Sequence, residues 1–275
     1  MSNLSETNFL PVTANYVQQG SGPPVILIHG LAASLHDWDD LIPELAQHGY
    51  AAYAPDLLGH GESPRLESRA YQMDWVFDHF FHWMRSLGLT EPAILIGHSL
   101  GGHVALEYAR RVSAWTRGLI LVNPFYSPSQ LPALLRKTYS RPGLSELLIG
   151  KVPEKWFRFV VDVSSTAIGH SVGALRALPE RVREQTLLDY RRTSPGVYHI
   201  PSIISDMTAS LHEINTPALV VWGDRDKTLS PSSFPRLVSA LPKARKEVLP
   251  AGHVPHQSHV EDFNQIVLKF LKDLV

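Results

Sequence analysis

A glycine–serine motif at the junction of a strand pattern and a helix pattern constrains this chain most. The apolar run 94–96 leads into Gly97-x-Ser99-x-Gly101, and a helical pattern follows over residues 104–109. A serine on such a sharp turn holds its hydroxyl clear of the backbone, and a side chain at either glycine would crowd the adjoining strand and helix. The motif therefore predicts that Ser99 is a nucleophile, and it requires a base and an acid from elsewhere in the chain.

Short apolar runs alternate with helical patterns on both sides of this motif. Buried strands are predicted at residues 25–28, 51–54, 94–96, 119–122, 218–222 and 246–249. Uninterrupted apolar runs are typical of strands buried on both faces, and their alternation with helices indicates a mainly parallel sheet. We therefore predict an α/β fold with a mostly parallel central sheet and helices on both of its faces.

The alternation stops between residues 125 and 211. This stretch has no buried-strand pattern, and proline and glycine break it into short helical segments, of which those at 154–163 and 179–193 are the most regular. We predict a helical cap at 125–211, inserted over the carboxyl ends of the strands into a core formed by residues 1–124 and 212–275.

Composition excludes several classes of function. A net charge of -1 at pH 7 offers no electrostatic surface for nucleic acid or anionic membranes. Without cysteine, the chain cannot use disulfides, a thiolate nucleophile or Cys-ligated zinc. No apolar run is long enough to span a bilayer, and the N-terminus lacks a signal-peptide pattern. We expect a soluble, cytoplasmic monomer or homodimer that acts on a small molecule without a cofactor.

A candidate acid and a candidate base follow the two late strands. Asp226, with Asp224 two residues before it, comes directly after the strand at 218–222, and His253 follows the last strand. The carboxyl ends of parallel strands meet at one edge of a sheet, where ligands bind. The chain order of serine, acid and histidine is the one that this topology requires. The spacing therefore predicts a serine–acid–histidine triad built on Ser99 and His253.

Two further polar residues follow earlier strands. Asp56 precedes Ser99 in the chain, which contradicts the expected order, so we interpret it as a carboxylate that anchors its loop. Asn123 follows the strand after the serine motif and could face the site.

The chain contains five motifs at strand ends: His29-Gly30, the 56–63 loop with Gly59-His60-Gly61, the Ser99 motif, Gly223-x-x-Asp226 and Gly252-His253. Together these motifs resemble the α/β-hydrolase family, in its serine-nucleophile branch with a helical cap, over essentially the whole chain. The resemblance favours Asp226 over Asp224 as the catalytic acid. It also implies an oxyanion hole from the main-chain amides of Leu31 and Leu100, whose side chains are free to be apolar.

Several aromatic residues and histidines are candidates for lining the substrate pocket. They are His29, His98, Phe125 and Trp156. The resemblance implies that His29 orients the oxyanion loop rather than acting as an acid or base. His253 and His256 lie close together in the chain, but no carboxylate accompanies them at ligand spacing, so no metal is expected.

The residues and the resemblance together predict a serine hydrolase that cleaves an ester or related acyl compound through an acyl-enzyme. Serine at position 99 argues against the dehalogenase and epoxide-hydrolase branches, where the resemblance would require aspartate. Relatives with the same triad cleave carbon–carbon bonds or eliminate small acids, and fold alone cannot separate these reactions. A non-catalytic or slow small-molecule receptor is a further alternative, although a complete triad weighs against a purely binding role.

Overall fold

The sheet of the computed structural model, which describes residues 13–67, 70–132 and 178–274, has seven strands. They are β1 (Tyr16–Gln19), β2 (Pro24–Ile28), β3 (Ala51–Pro55), β4 (Ala93–His98), β5 (Thr116–Val122), β6 (Ala218–Gly223) and β7 (Ala244–Leu249). Their order across the sheet is β1-β3-β2-β4-β5-β6-β7, and all pairs are parallel except β1 with β3. The predicted fold class is therefore confirmed.

Eight α-helices accompany the sheet in the described part of the chain. They are α1 (Ile42–Gln47), α2 (Met73–Ser86), α3 (Leu100–Arg111), α4 (Glu180–Arg192), α5 (Ile200–Ile203), α6 (Phe234–Ala240), α7 (Pro255–Ser258) and α8 (Val260–Lys272). None of these helices combines the length and the apolar character that a membrane span needs.

The described part of the predicted cap contains helices and turns and no strand. The helix expected at 179–193 is observed as α4, whereas the one expected at 154–163 lies outside the described residues. The division into a core and a cap at 125–211 stays a prediction.

Two separate apolar cores lie on opposite faces of the sheet because side chains alternate along each strand. In β2, Ile26 and Ile28 pack with α2, α3 and α6, whereas Val25 and Leu27 pack with α1 and α8. All four side chains are fully buried, and burying each one stabilises the fold by roughly 1.5–3 kcal/mol relative to leaving it exposed to water. This packing fixes the carboxyl ends of the strands, which carry the polar residues of the site.

Candidate active site

Ser99 lies on a strained turn between β4 and α3, with φ 50° and ψ -112°. A Cβ on Gly97 would lie 2.4 Å from the Gly101 carbonyl oxygen, and a Cβ on Gly101 would lie 2.1 Å from the Ile28 carbonyl oxygen. Both distances are shorter than van der Waals contact, so only glycine fits on either side of the serine. The turn places Ser99 on the wall of a cavity.

His253 borders the same cavity and contacts Asp226. Its Nδ1 lies 2.8 Å from Asp226 Oδ2, which leaves Nε2 as the ring nitrogen that can serve a reacting group. No hydrogen bond of the Ser99 hydroxyl is found among the described residues, and such bonds often form only when a substrate is bound. Asp224 is half-exposed and lies 3.7 Å from Arg225, so the structure brings Asp226, and not Asp224, to the histidine.

Four hydrogen bonds hold the Asp226 carboxylate. Oδ1 accepts from the amides of Thr228 and Leu229 at 2.8 and 3.0 Å. Oδ2 accepts from Asn123 Nδ2 at 2.6 Å as well as from His253. Burial alone would raise the pKa of Asp226, but the charge and hydrogen bond of His253, with the Leu229 amide and Asn123, bring it below its usual value. The group is therefore an anion that can stabilise a positive charge on the imidazole.

Asn123 has a role that its sequence position only suggested. Its backbone has a positive φ of 41°, and its side chain is fully buried at the end of β5. While Nδ2 donates to Asp226, Oδ1 accepts from the Gly223 amide at 3.4 Å. Asn123 therefore links β5 to the end of β6 and orients the acid.

The two predicted oxyanion donors also border the cavity. Leu100 is the first residue of α3, so its amide has no acceptor within that helix. Leu31 lies in the loop after β2, which Ala32 turns with a positive φ of 58°. Gly30 allows this loop to approach, because a Cβ there would lie 2.9 Å from His98 Nδ1. Two segments of the chain thus bring Leu31 and Leu100 to the cavity that Ser99 also borders.

The cavity has a volume of ≈ 320 Å³ between the carboxyl edge of the sheet and α4. Phe125 lines it, as predicted for a substrate-binding residue, together with Leu131 and Val182. Asp189 of α4 also borders the cavity, and burial raises its pKa to about 7, although a hydrogen bond from Gln185 acts in the opposite direction. The cavity is mainly apolar, with polar groups near the serine.

Two predicted pocket residues are not found on the described cavity wall. His29 is fully buried beneath the loop, where Nε2 accepts from the Leu57 amide at 2.9 Å and Nδ1 lies 2.7 Å from the Gly30 carbonyl oxygen. Its assignment as a substrate-binding residue is therefore wrong, because its ring is occupied in joining the loops after β2 and β3. Trp156 lies outside the described residues.

Asp56 anchors loops, as the sequence indicated. Its Oδ1 accepts from the Leu35 amide at 2.7 Å, and its Oδ2 accepts from the Glu62 amide at 2.9 Å. The carboxylate therefore joins the loop that carries Leu31 to the loop after β3, and it makes no contact with His253 among the described bonds.

Asp37 is a site residue that the sequence analysis missed. It lies in a 3₁₀ helix, Leu35–Trp38, and its Oδ2 is 3.2 Å from His98 Nδ1. His98 borders the cavity, as predicted, and its Nε2 is 3.0 Å from the His253 carbonyl oxygen. No motif marks Asp37, since a single aspartate in a loop is common and its side-chain partners His98 and Gln257 are 61 and 220 residues away.

One group of side chains in the described part of the chain has ligand atoms close enough to consider a metal ion. It consists of Asp37, His98 and His256, whose ligand atoms lie within 4.8 Å of one another. The sequence gives no sign of this carboxylate beside the histidines, because Asp37 is distant from His256 in the chain. The contact between Asp37 and His98 has the length of a hydrogen bond, and the main-chain amide of Gly30 and the side-chain Nε2 of Gln257 also donate to Asp37. These bonds satisfy the carboxylate without an ion, so we assign it no metal.

Comparison with known proteins gives consistent matches over most of the chain. The model of the alpha/beta hydrolase fold family matches residues 23–260. The pimeloyl-[acyl-carrier protein] methyl ester esterase of Aeromonas hydrophila is 27% identical over 256 residues, which cover 92% of this chain and 96% of that protein.

Two solved structures illustrate the similarity of fold. A thermophilic esterase from Thermogutta terrifontis superposes with a TM-score of 0.80 at 24% identity, covering 95% of this chain and 93% of that one. A meta-cleavage product hydrolase from Pseudomonas fluorescens gives a TM-score of 0.75 at 22% identity, covering 97% of each chain. At these identities the likeness concerns the fold alone.

Proposed function

Because this chain belongs to the alpha/beta hydrolase fold family, we propose that it is a serine hydrolase that cleaves an ester or related acyl compound. One observation carries the proposal. Ser99 and His253 border one cavity, while His253 Nδ1 contacts the buried Asp226 carboxylate at 2.8 Å. A serine, a histidine and an aspartate with these relations perform acyl transfer on several unrelated folds.

In the proposed reaction, Ser99 Oγ attacks the carbonyl carbon while His253 Nε2 takes the hydroxyl proton. His253 then gives this proton to the leaving alcohol, and an acyl-enzyme remains on Ser99. Water then attacks the acyl carbon while His253 Nε2 takes its proton. His253 returns this proton to Ser99 Oγ, and the carboxylic acid is released. Asp226 keeps its negative charge throughout, because its role is to stabilise the imidazolium and to fix the tautomer with a proton on Nδ1.

The attacked carbonyl oxygen acquires a negative charge that must meet fixed donors. In this proposal the amides of Leu31 and Leu100 supply them, from the loop after β2 and the first turn of α3. The N-terminus of α3 adds a favourable dipole. Removing a single donor of this kind typically costs about 10²–10³ in kcat.

The size and lining of the cavity favour a small, largely uncharged acyl group. Its volume of ≈ 320 Å³ is at the low end of the range for small-molecule sites, and Phe125 and Leu131 contribute apolar surface. The Aeromonas relative is named as an esterase of a methyl ester. From that name we take for this chain only that the bond it cleaves is an ester. We propose a short-chain carboxylic ester as the substrate class.

A fluorophosphonate probe and a series of p-nitrophenyl esters, from acetate to octanoate, test the proposal. We expect the wild type to be labelled within the tryptic peptide 86–110, which contains Ser99, and to prefer the shorter esters. Ser99→Ala should lose labelling and at least about 10⁴-fold in turnover. Ser239→Ala, which changes an exposed serine on α6, is the matched control and should behave as wild type.

The alternatives correspond to distinct results of the same experiment. Labelling of Ser99 without ester turnover would favour a carbon–carbon bond hydrolase or lyase that uses the same residues. No labelling and no Ser99-dependent turnover would overturn the hydrolase proposal and favour a binding role.

A further inference from the structure

A second carboxylate–histidine pair, Asp37 with His98, lies directly behind the proposed catalytic histidine. The two side chains are 8% and 6% exposed, and their hydrogen-bonding atoms are 3.2 Å apart. The other ring nitrogen of His98 lies 3.0 Å from the main-chain carbonyl oxygen of His253. The pair therefore reaches the catalytic loop through its backbone, while Asp226 reaches it through the side chain.

Both partners of the His98 ring are hydrogen-bond acceptors. A neutral imidazole carries one proton, so it can donate to only one of the two oxygens. A carbonyl oxygen never donates, and the Asp37 carboxyl group accepts from the Gly30 amide at 3.3 Å and from Gln257 Nε2 at 3.1 Å. These two N–H donors favour the ionised form of Asp37 over the protonated form. With an ionised Asp37, a proton on each ring nitrogen of His98 would find an acceptor.

The contacts of Asp37 join three parts of the site. Gly30 belongs to the oxyanion loop, His98 adjoins Ser99, and Gln257 lies on α7 directly after the His253 loop. All three segments thus depend on one carboxylate, although they are distant in the chain.

We propose that Asp37 and a doubly protonated His98 form a charged pair that positions His253 from its main-chain side and ties the oxyanion loop to it. This inference rests on the proposed role of His253. Asp37 and His98 are positioning residues, since neither needs to touch the reacting atoms. Because Asp37 balances the charge of His98, the pair adds little repulsion when His253 becomes an imidazolium.

The titratable groups around the pair are histidines and the carboxyl group of Asp189, whose pKa is raised by burial and in part by the negative charge of Asp37. The His253 and His256 rings lie 5.0 and 4.5 Å from the His98 ring, and His29 lies beyond Gly30. Burial and the charge of His98 hold the pKa of His256 well below its usual value, so His256 stays neutral and does not compete for Asp37.

The protonation of His98 is tested without any activity measurement. In ¹⁵N NMR spectra at pH 7, protein labelled with ¹⁵N-histidine should show the signals of one imidazole ring with both nitrogens protonated. These signals should be absent from the spectrum of His98→Gln. In Asp37→Asn this ring should change to the pattern of a neutral tautomer. A His98 ring with a single proton in the wild type would overturn the proposal. Stoichiometric zinc in the purified protein, lost in His256→Ala, would also overturn it, because a metal on Nδ1 would replace the proton.

Kinetics test the positioning role. Asp37→Asn and His98→Gln should each lower kcat for a short p-nitrophenyl ester by about 10- to 100-fold, the loss expected for one charge-assisted bond that matters in the transition state. KM should change less than about threefold, and the double variant should be no slower than the slower single variant, because the two residues act as a unit. Additive losses, or a raised KM with unchanged kcat, would contradict the proposal.

The exposed pair Glu44 and His48 on α1 provides the matched control. Its atoms are 3.9 Å apart and both side chains are about two-fifths exposed, so Glu44→Gln and His48→Gln should leave kcat unchanged. If the wild type hydrolyses no ester and Ser99 is not labelled, the proposed function fails, while the ring spectra still decide the protonation of His98. The spectra of the wild type also decide it if the variants do not fold.

Discussion

Replacing Asp226 with asparagine isolates the charge of the proposed acid, because the two side chains have nearly the same shape. The carboxylate accepts two bonds on each oxygen, from the Thr228 and Leu229 amides on Oδ1 and from Asn123 and His253 on Oδ2. An asparagine has a single oxygen. The two fixed main-chain donors will take it, so that the new NH₂ group faces His253.

That arrangement reverses the tautomer of the imidazole. A donor opposite Nδ1 favours the ring with its proton on Nε2, and this ring cannot accept the proton of Ser99. A loss of about 10⁴-fold in kcat is expected for such a change, which corresponds to roughly 5.5 kcal/mol of transition-state stabilisation. KM should change little, since Asp226 lies behind the histidine and not on the wall of the cavity.

The assay measures kcat and KM for p-nitrophenyl acetate, with circular dichroism to verify that the variant folds. Asp224→Asn is the matched control, because Asp224 is half-exposed two residues away, and it should keep full activity. Asp226 is not the catalytic acid if Asp226→Asn keeps more than a tenth of the wild-type kcat, or if the two variants lose activity equally.

Three further predictions concern the frame around the site. Asn123→Ala removes a 2.6 Å bond to the acid and should lower kcat about tenfold at nearly constant KM. Gly101→Ala places a methyl group 2.1 Å from the Ile28 carbonyl oxygen and should destabilise the fold by about 3 kcal/mol or more in urea unfolding. Because burial raises the pKa of Asp189 to about 7, the folded state holds a proton that the unfolded state loses near pH 4, and stability falls as pH rises between these values. Asp189→Asn should therefore raise the free energy of unfolding by about 2–4 kcal/mol above pH 7, and the gain should vanish toward pH 4.

Each of these variants has a control elsewhere in the chain. Asn215→Ala alters an exposed asparagine, and Asp262→Asn an exposed aspartate on α8, so both should match the wild type. Gly88→Ala adds a methyl group that meets no atom within 4 Å at a φ of 61°, so it should cost only about 1 kcal/mol. An Asn123→Ala variant at full activity, a Gly101→Ala variant as stable as Gly88→Ala, or a pH-independent effect of Asp189→Asn would each contradict the reasoning.

Local patterns predicted most of the fold because they act over a few residues. The apolar runs at 25–28 and 119–122 are buried strands in the structure, and the helical pattern at 179–193 is α4. The order of strands across the sheet was not contained in these patterns, since pairing depends on which apolar faces meet after the chain collapses. The antiparallel pairing of β1 with β3, for example, is visible only in the assembled sheet.

The site residues also include some that the sequence predicts and some that it does not. Ser99, Asp226 and His253 were predicted because each follows a strand, and strand ends converge at one edge whatever lies between them. His29 was misplaced because its strand-end position predicted proximity to the site but not the direction of its ring, which the Leu57 amide determines.

The sequence alone thus predicts the kind of fold and the chemistry proposed for Ser99, because a steric requirement for glycine and the period of apolar residues are local properties of the chain. The tertiary structure decided how the site is held. It brought Asp37 to His98 and Asn123 to Asp226, across 61 and 103 residues, by hydrogen bonds whose geometry exists only after folding. The physical reason is that a single polar residue in a loop carries no periodic signal, and its role depends on the partner that folding places beside it.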